Sequence, residues 1–231
     1  MGKRIIIRKR GRGTPVYRVR RKAFSIKLSY PNVEGKGEIV DIIHNVGHHA
    51  PLAKIKVNGN IFYNIAPIYS YVGQEIEIGK NAKPEPGNIL PLSAIPIGSD
   101  IFNIEILPND GGKLVRASCA KVVKKEKDKV TVLLPSKKEK DLHPNSRATI
   151  GVPAGGGRIE KPFGRAGNKW YKMKALGKLY PRTSAVKMNA YDHPFGGGRG
   201  KHIKSKIAHW NAPPGAKVGL IRPRRTGRKK K

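Results

Sequence analysis

Residues 193–199 bring a histidine, a proline, an aromatic ring, three glycines and an arginine together within seven positions. A histidine titrates near neutral pH, so His193 could act as a general acid or base. Asp192 precedes it, but adjacency in sequence does not orient a catalytic pair, and no candidate nucleophile is marked nearby. In the alternative, the imidazole hydrogen-bonds to RNA, Phe195 stacks on a base and Arg199 takes a phosphate. The pattern favours binding over catalysis.

A second glycine run, residues 155–157, is followed directly by Arg158. Glycines let a backbone approach a phosphate or a base edge where a Cβ atom would collide. The other interpretation is a flexible linker, and the neighbouring Lys161 and Arg165 favour RNA contact over it. The spacing differs from a P-loop because no Gly-Lys-Ser/Thr follows.

Three histidines within six residues, His44, His48 and His49, raise the question of a metal site. No carboxylate or cysteine completes such a site at a typical spacing. We therefore predict a loop between strands, with histidines near phosphates. The single cysteine, Cys119, excludes an internal disulfide framework and a zinc site made of cysteine pairs, and it fits a reducing compartment.

The charge of the chain indicates its class of partner. The 231 residues include 48 Lys and Arg against 15 Asp and Glu, for a net charge of +33 and a pI of about 10.6, which favours a nucleic-acid partner. The charge lies at the two ends: residues 1–35 carry +10, residues 151–231 carry +19, and residues 36–150 carry only +4. The ends contain aromatic residues and turns, so we predict extensions that fold on a polyanion rather than solvated tails.

The last ten residues, 222–231, include seven basic ones. They suit a nuclear targeting signal, a solvated tail or a phosphate-binding arm, and the basic amino-terminal end favours the third. No stretch approaches the roughly 20 apolar residues of a membrane span, and the first residues lack the apolar run of a signal peptide.

The middle of the chain predicts an all-β architecture. Asn58 and Gly59 between two β-type runs are a strong hairpin signal, and the Pro- and Gly-rich cluster at 83–87 predicts a domain boundary. With 27 Gly and 18 Pro, long helices are largely excluded, and only residues near 165–176 could form a short one. The spacing predicts two small barrels, 36–84 and 87–152. The predicted strands are 37–44, 53–57, 61–65, 75–79, 101–106, 113–116, 121–123, 130–134 and 147–152.

Several segments, in this order along the chain, resemble the L-two family of large-subunit ribosomal proteins. They are residues 41–44 with 50–53, 154–158, 188–198, 217–221 and 224–227. Phe195 resembles the archaeal and eukaryotic form; the bacterial form has a second histidine there, whose role does not transfer. The resemblance implies a mainly β fold: an OB-fold barrel followed by an SH3-like barrel, with long, basic, irregular N- and C-terminal extensions. The implied domains are 1–35, 36–84, 87–152 and 153–231.

The function implied by the resemblance is that of a structural constituent of the large ribosomal subunit, in the cytoplasm. Such a protein is a primary rRNA binder that supports subunit association, tRNA binding and the peptidyl-transferase region. The implied partners are large-subunit rRNA, small-subunit rRNA at an intersubunit bridge and neighbouring ribosomal proteins, without a membrane or a small-molecule substrate. We expect no cofactor other than rRNA-associated Mg or K ions.

Two other functions remain open beside this one. His193 occupies the position of the family's histidine for which direct catalysis of peptidyl transfer has been suggested. A general nucleic-acid or chromatin binder would show Lys-rich repeats or a major-groove helix, and the sequence shows neither.

The predicted RNA-binding residues are the basic, glycine, histidine and aromatic positions of the two ends. They are Arg8, Lys9, Arg10, Arg12, Arg18, Arg20, Arg21, Lys22, Gly155, Gly156, Gly157, Arg158, Lys161, Arg165, Trp170, Arg182, His193, Phe195, Gly196, Gly197, Gly198, Arg199, Lys201, His202, Arg222, Arg224, Arg225 and Arg228. We predict no metal ligand among the residues of the chain.

Overall fold

The structure is a computed structural model that describes residues 6, 13–18, 21–157 and 160–200. The chain divides into two compact units. One unit, residues 21–164, contains all ten strands described below and is called the β unit. The other consists of residues 1–20 and 165–231, of which residues 6, 13–18 and 165–200 are described.

The β unit is built on one ten-stranded sheet, which confirms the mainly β fold class. The strand order is β3-β2-β1-β4-β5-β10-β6-β7-β8-β9. Neighbouring strands are antiparallel, except that β4 and β5 are parallel and meet at the pair Ile78 and Ile89. The strands are β1 Gly35–Ile43, β2 Leu52–Val57, β3 Asn60–Ile65, β4 Glu75–Ile78, β5 Ile89–Pro91, β6 Asp100–Phe102, β7 Ala120–Lys125, β8 Val130–Leu133, β9 Glu139–Leu142 and β10 Arg147–Ile150.

The predicted hairpin lies between β2 and β3. Val57 pairs with Asn60, and the two residues between them, Asn58 and Gly59, have φ values of 47° and 81°. A two-residue turn with both φ values positive matches the right-handed twist of the flanking strands. The hairpin prediction is confirmed.

Alternating apolar side chains form three buried clusters in the β unit. One lies under β1–β4 and includes Ile39, Ile55 and Ile76. A second lies under β5–β10 and includes Ile101 and Val132. The third draws its residues from both halves of the sheet and from the segment before β1: Leu28, Ala50, Leu52, Ile65 and Phe102. This third cluster joins the two halves of the sheet through shared apolar contacts. The division into four domains at residues 35, 84–87 and 152 stays a prediction.

Two predicted strands differ from the observed ones because the backbone turns away from the sheet. β6 ends at Phe102, since Asn103 has a φ of 49°. Residues 113–116 form a single isolated bridge, between Ile104 and Leu114, because Val115 has a φ of 53°. The short strands β5 and β9 were not predicted.

In the second unit, helix α1 spans Ala166–Ala175, as predicted near 165–176. Its last turn carries Lys172 and Lys174, which interact favourably with the carboxyl end of the helix dipole. None of its residues is buried. Short 3₁₀ helices span Pro15–Tyr17, Arg21–Phe24 and Ala185–Lys187. Across the described residues, no helix combines the length and apolar composition needed to cross a membrane.

Candidate nucleic-acid interface

A buried polar network holds the segment before β1 on the sheet. The hydroxyl of Tyr30 donates to the backbone carbonyl of Asn103 at 2.6 Å and lies 2.7 Å from Oγ1 of Thr149. Since the single phenolic proton is used at Asn103, the Thr149 hydroxyl is the donor in the second contact. The Thr149 oxygen in turn accepts from the side-chain amide of Asn64 at 2.9 Å, and Asn103 donates to Asn64 at 2.9 Å. The network thus spans β3, β10 and the end of β6.

A buried ion pair fixes the same segment from the other side. Arg147 donates to both carboxylate oxygens of Glu105, at 2.9 and 3.3 Å, and Glu105 is fully buried. The guanidinium group also donates to the carbonyl of Pro31 at 2.5 Å and lies 5.5 Å from the centroid of the Tyr30 ring. This planar, multidentate geometry anchors the chain that leads back to the basic amino-terminal end.

The loop between β1 and β2 packs against the 3₁₀ helix Arg21–Phe24. A Cβ atom on Gly47 would lie 1.9 Å from the carbonyl oxygen of Ala23, so only glycine allows this close approach. The rings of Phe24 and His48 meet edge to face at 5.4 Å. Burial, with a smaller contribution from Arg116, lowers the pKa of His48. His48 is therefore a neutral packing residue at physiological pH.

The loop predicted at residues 44–50 is confirmed, since these residues lie between the end of β1 and the start of β2. His44 and His49 are exposed there. Within the described part of the chain, no three His, Cys, Asp or Glu side chains are grouped so that they could hold a metal ion. Cys119 lies partly buried before β7, and burial, reinforced by Asp100, raises the pKa of its thiol.

The glycine run at 155–157, which lies within the β unit, is next to this histidine loop. Ala154 donates to the carbonyl of Ala66 at 2.9 Å, and a Cβ atom added to Gly155 would lie 3.5 Å from the Ala50 Cβ and from the carbonyl oxygen of His49. Gly156 and Gly157 face open space, with no atom within 4 Å of an added Cβ. The backbone at these two positions is open to an incoming phosphate or base.

An exposed aromatic loop, residues 67–73, lies next to the glycine run and was missed in the sequence. Ile68 donates to the carbonyl of Val152 at 2.8 Å, which fixes the loop to the chain just before the glycines. Tyr69 is 90% exposed with a φ of 63°, and Tyr71 is 64% exposed. The signal in the sequence was two tyrosines bounded by Pro67 and Gly73.

Helix α1 presents a basic and aromatic surface. The ammonium group of Lys174 lies 4.4 Å from the centroid of the Trp170 ring, and Tyr171 meets the same ring edge to face at 4.9 Å. A lysine beside an indole combines a stacking face with a charge for the adjoining phosphate, as in single-strand RNA sites.

The segment 188–197 closes on itself around His193. The amide of Phe195 donates to Nδ1 of His193 at 3.1 Å, and the amide of Gly196 donates to the carbonyl of His193 at 2.8 Å. The amide of Gly197 reaches the carbonyl of Met188 at 3.0 Å. Because Nδ1 accepts a hydrogen bond, the proton of the neutral ring resides on Nε2.

The glycines after His193 allow this loop to close tightly on residues 188–190. A Cβ atom on Gly196 would lie 2.1 Å from the carbonyl oxygen of Asn189, and Gly196 is buried. The rings of His193 and Phe195 are tilted at 5.1 Å. Burial, with a smaller contribution from Arg182, lowers the pKa of His193, so the ring is neutral near pH 7.

The predicted RNA-binding residues that the structure describes are mostly exposed. The exposed ones are Arg18, Gly156, Gly157, Lys161, Arg165, Trp170, Arg182, Gly198 and Arg199; Gly155, His193, Phe195 and Gly197 are partly buried, and Gly196 is buried. Of Arg21 and Lys22 the backbone is described, in a 3₁₀ helix. Twelve lie outside the described residues: Arg8, Lys9, Arg10, Arg12, Arg20, Arg158, Lys201, His202, Arg222, Arg224, Arg225 and Arg228. Contact of each of these residues with RNA stays a prediction.

Comparison with known proteins gives one consistent result. Residues 85–213 match the family model described as Ribosomal Proteins L2, C-terminal domain. The large ribosomal subunit protein uL2 of Methanothermobacter thermautotrophicus is 46% identical, with 100% of both chains covered. The uL2 proteins of Methanococcus vannielii and Hyperthermus butylicus are 48% and 45% identical, covering 99% and 100% of this chain and 100% of each relative.

Proposed function

The chain belongs to the uL2 family of large ribosomal subunit proteins, and on that premise we propose that it is a structural, primary rRNA-binding constituent of the large subunit. The family fold, an OB-fold barrel followed by an SH3-like barrel, fits the mainly β unit. The proposed partners are large-subunit rRNA, small-subunit rRNA at an intersubunit bridge and neighbouring ribosomal proteins. The proposed place of work is the cytoplasm, with support for tRNA binding and for the peptidyl-transferase region.

The observation that carries the proposal is the separation of charge from the folded core. Residues 36–150, which hold all of the strands but the first residue of β1, carry a net charge of only +4, whereas residues 151–231 carry +19. Helix α1 lies in that basic stretch and buries none of its residues. A helix with no buried residue gains little from packing, so the exposed face of Trp170 can stack on a base of a bound polyanion.

The hydrogen bond at Nδ1 of His193 argues against catalysis by this residue. A general base that works through Nε2 needs a lone pair there and a partner that accepts the proton of Nδ1. Here Nδ1 of His193 accepts the amide of Phe195, so the neutral ring has the opposite tautomer. We propose that the protein is not an enzyme and that its only ions are those associated with rRNA.

The salt dependence of rRNA binding tests the proposal. If the chain neutralises on the order of ten phosphates, the slope of log K against log salt should be steeper than about −5. Replacing Lys161, Arg165 and Arg182 by Gln should reduce that slope by about two to three units, at 0.7 to 0.9 per phosphate contact.

A matched control removes the same charge elsewhere. Lys127, Lys137 and Lys138 are exposed in the connections between β7, β8 and β9. Replacing these three by Gln should leave the slope nearly unchanged. Equal losses of slope in both triple variants would show that total charge, and not the proposed surface, determines binding; a flat wild-type slope would contradict rRNA binding through the basic ends.

A further inference from the structure

The structure contains two turns of the same kind, each beginning at a His-Pro pair. At His143, the amide of Asn145 donates to Nδ1 at 3.1 Å and the amide of Ser146 donates to the carbonyl oxygen at 3.0 Å. At His193, the amide of Phe195 donates to Nδ1 at 3.1 Å and the amide of Gly196 donates to the carbonyl oxygen at 2.8 Å. We call this arrangement the His-Pro turn.

The chemistry of the His-Pro turn explains the choice of residues. Proline in second position fixes its φ near the value that a β-turn needs, and it brings no amide proton of its own. The histidine Nδ1 then takes the role that the side-chain oxygen of Asn or Asp plays when it accepts from the amide two residues on. The ring is thereby held by its near nitrogen, which leaves the far nitrogen, Nε2, with the proton.

The two turns differ in their surroundings. The turn at 143–146 connects β9 to β10 inside the β unit. The turn at 193–196 lies in the basic carboxyl-terminal stretch, where Arg182 is near enough to influence His193 and Arg199 is exposed. Among the residues that the structure describes, Nδ1 is the ring atom of His193 that forms a hydrogen bond.

We propose that the imidazole of His193 does two things at once: Nδ1 closes the His-Pro turn, and the Nε2–H group so oriented donates a hydrogen bond to an oxygen of the bound RNA. The acceptor is a phosphate oxygen or a ribose hydroxyl, both of which accept from a neutral N–H donor. His193 is then a positioning residue and an RNA contact, without proton transfer. The proposal rests on the rRNA-binding function proposed above.

Two isosteric substitutions separate the two roles. His193→Asn keeps an acceptor at the position of Nδ1 but has no group at Nε2, while His193→Gln places an amide donor near Nε2 and loses the close acceptor. His193→Ala loses both. Binding of the full-length chain to large-subunit rRNA should be weakest for Ala, with Asn and Gln between Ala and wild type and each about two- to tenfold weaker than wild type.

Each departure from that order overturns a stated half of the proposal. If Gln equals wild type, or if Asn is no better than Ala, the turn contact at Nδ1 contributes nothing. If Asn equals wild type, Nε2 donates to nothing in the RNA. If the wild-type chain itself does not bind large-subunit rRNA, the proposed function is wrong. That outcome can be distinguished from a changed order of affinities among the variants.

Nucleotide-analogue interference identifies the acceptor. Phosphorothioate and 2′-deoxy substitutions are introduced throughout the rRNA, and binding is selected with wild type and with each variant. At least one position should interfere with wild type and with Gln but not with Asn or Ala. A phosphorothioate signal identifies a phosphate oxygen and a 2′-deoxy signal a ribose hydroxyl; if no position depends on residue 193, the RNA contact is disproved.

His143 provides a control that needs no RNA. In the free full-length chain, His143→Ala should lower the Tm of the β unit by about 2 to 4 °C, the effect expected for losing one hydrogen bond. His143→Asn, which keeps the acceptor, should remain close to wild type. If Asn lowers the Tm as much as Ala, a histidine Nδ1 does not stabilise a His-Pro turn, and the first half of the proposal falls.

Discussion

At the scale of single residues, Tyr30 connects distant parts of the sequence through one hydroxyl group. Burial raises the pKa of its phenol well above the ordinary range, so the group is a neutral donor under all physiological conditions. Its partners, Asn103 and Thr149, lie 73 and 119 positions further along the chain. Fixing such separated segments has a high entropic cost, which a satisfied buried network offsets.

Tyr30→Phe should therefore destabilise the β unit although the ring remains. The Asn103 carbonyl loses its phenolic donor and the Thr149 hydroxyl loses its acceptor, which costs about 1 to 3 kcal/mol in free energy of unfolding. Chemical denaturation of the full chain measures this change in the free energy of unfolding. Tyr71→Phe removes a hydroxyl from an exposed ring and should change stability by less than about 0.5 kcal/mol; equal effects of the two substitutions would contradict the role of the network.

His48 makes the stability of the β unit depend on pH. Its pKa in the folded state is lowered by burial first and by Arg116 second, while the unfolded chain has the ordinary value near about 6.5. As pH falls through that value, the unfolded state takes up the proton first, and stability is lost until the lowered folded pKa is reached.

Replacing His48 by Phe should flatten the fall in unfolding free energy between about pH 7.5 and about pH 5. Urea titrations at several pH values measure the slope. Val46→Ala changes an exposed, uncharged residue of the same loop and should leave the pH dependence as in wild type. The interpretation fails if the Phe variant shows the wild-type slope.

At the scale of elements, helix α1 receives little support from packing. It has ten residues and none is buried, and isolated helices shorter than about 12 to 15 residues are marginal in water. Its three lysines carry like charges close together on a short helix, and bound phosphates would compensate that charge. We therefore expect bound RNA to increase the stability of this helix.

Trp170→Ala should weaken rRNA binding by about 1 to 3 kcal/mol, the usual contribution of one stacked base. Trp170→Phe keeps an aromatic face and should retain most of the affinity. Binding isotherms at fixed salt measure both, and thermal unfolding of the β unit should be the same in the two variants because no residue of α1 is buried. An Ala variant that binds as tightly as the Phe variant would contradict stacking.

Strands with alternating β-branched residues could be predicted from the sequence. Strands that form only because a neighbouring strand pairs with them could not. β1, β2 and β4 have that pattern, whereas β9 consists largely of charged residues and exists because it pairs with β8 over four positions. β5 has three residues, all buried, directly after the breaker cluster. Neither strand has a local signal of its own, since tertiary pairing overrides β propensity.

The candidate site, too, could be predicted from the sequence only in part. The His-Pro-aromatic-glycine run and the exposed glycines at 156–157 could be identified because residue type and order already carry the chemistry. The contact between Nδ1 of His193 and the Phe195 amide depends on turn geometry that the sequence does not specify. Exposure of Tyr69 and Tyr71 depends on how β3 and β4 are connected, so that surface was missed.

At the scale of the whole molecule, the β unit has two main apolar clusters but one continuous sheet. Phe102 from the second half packs with Leu52 and Ile65 from the first, and Asn103 is hydrogen-bonded to Asn64 across the same boundary. Both contacts are buried, so opening one half would expose polar and apolar groups of the other.

The β unit should therefore unfold in a single transition in the intact chain. Calorimetry should give equal calorimetric and van't Hoff enthalpies, and Asn64→Ala should lower the midpoint without splitting the transition. Two separate transitions, one for residues 36–84 and one for 87–152, would contradict this and show that the halves are independent.

The two outer strands of the sheet, β3 and β9, differ in how readily their edges could pair with another chain. β9 carries Glu139, Lys140 and Asp141, and charged edges oppose pairing with another chain. β3 carries Phe62 and Tyr63 and leaves Ile61 52% exposed. β3 contains no charged residue, so we expect its edge, rather than that of β9, to be the one at which another chain could pair.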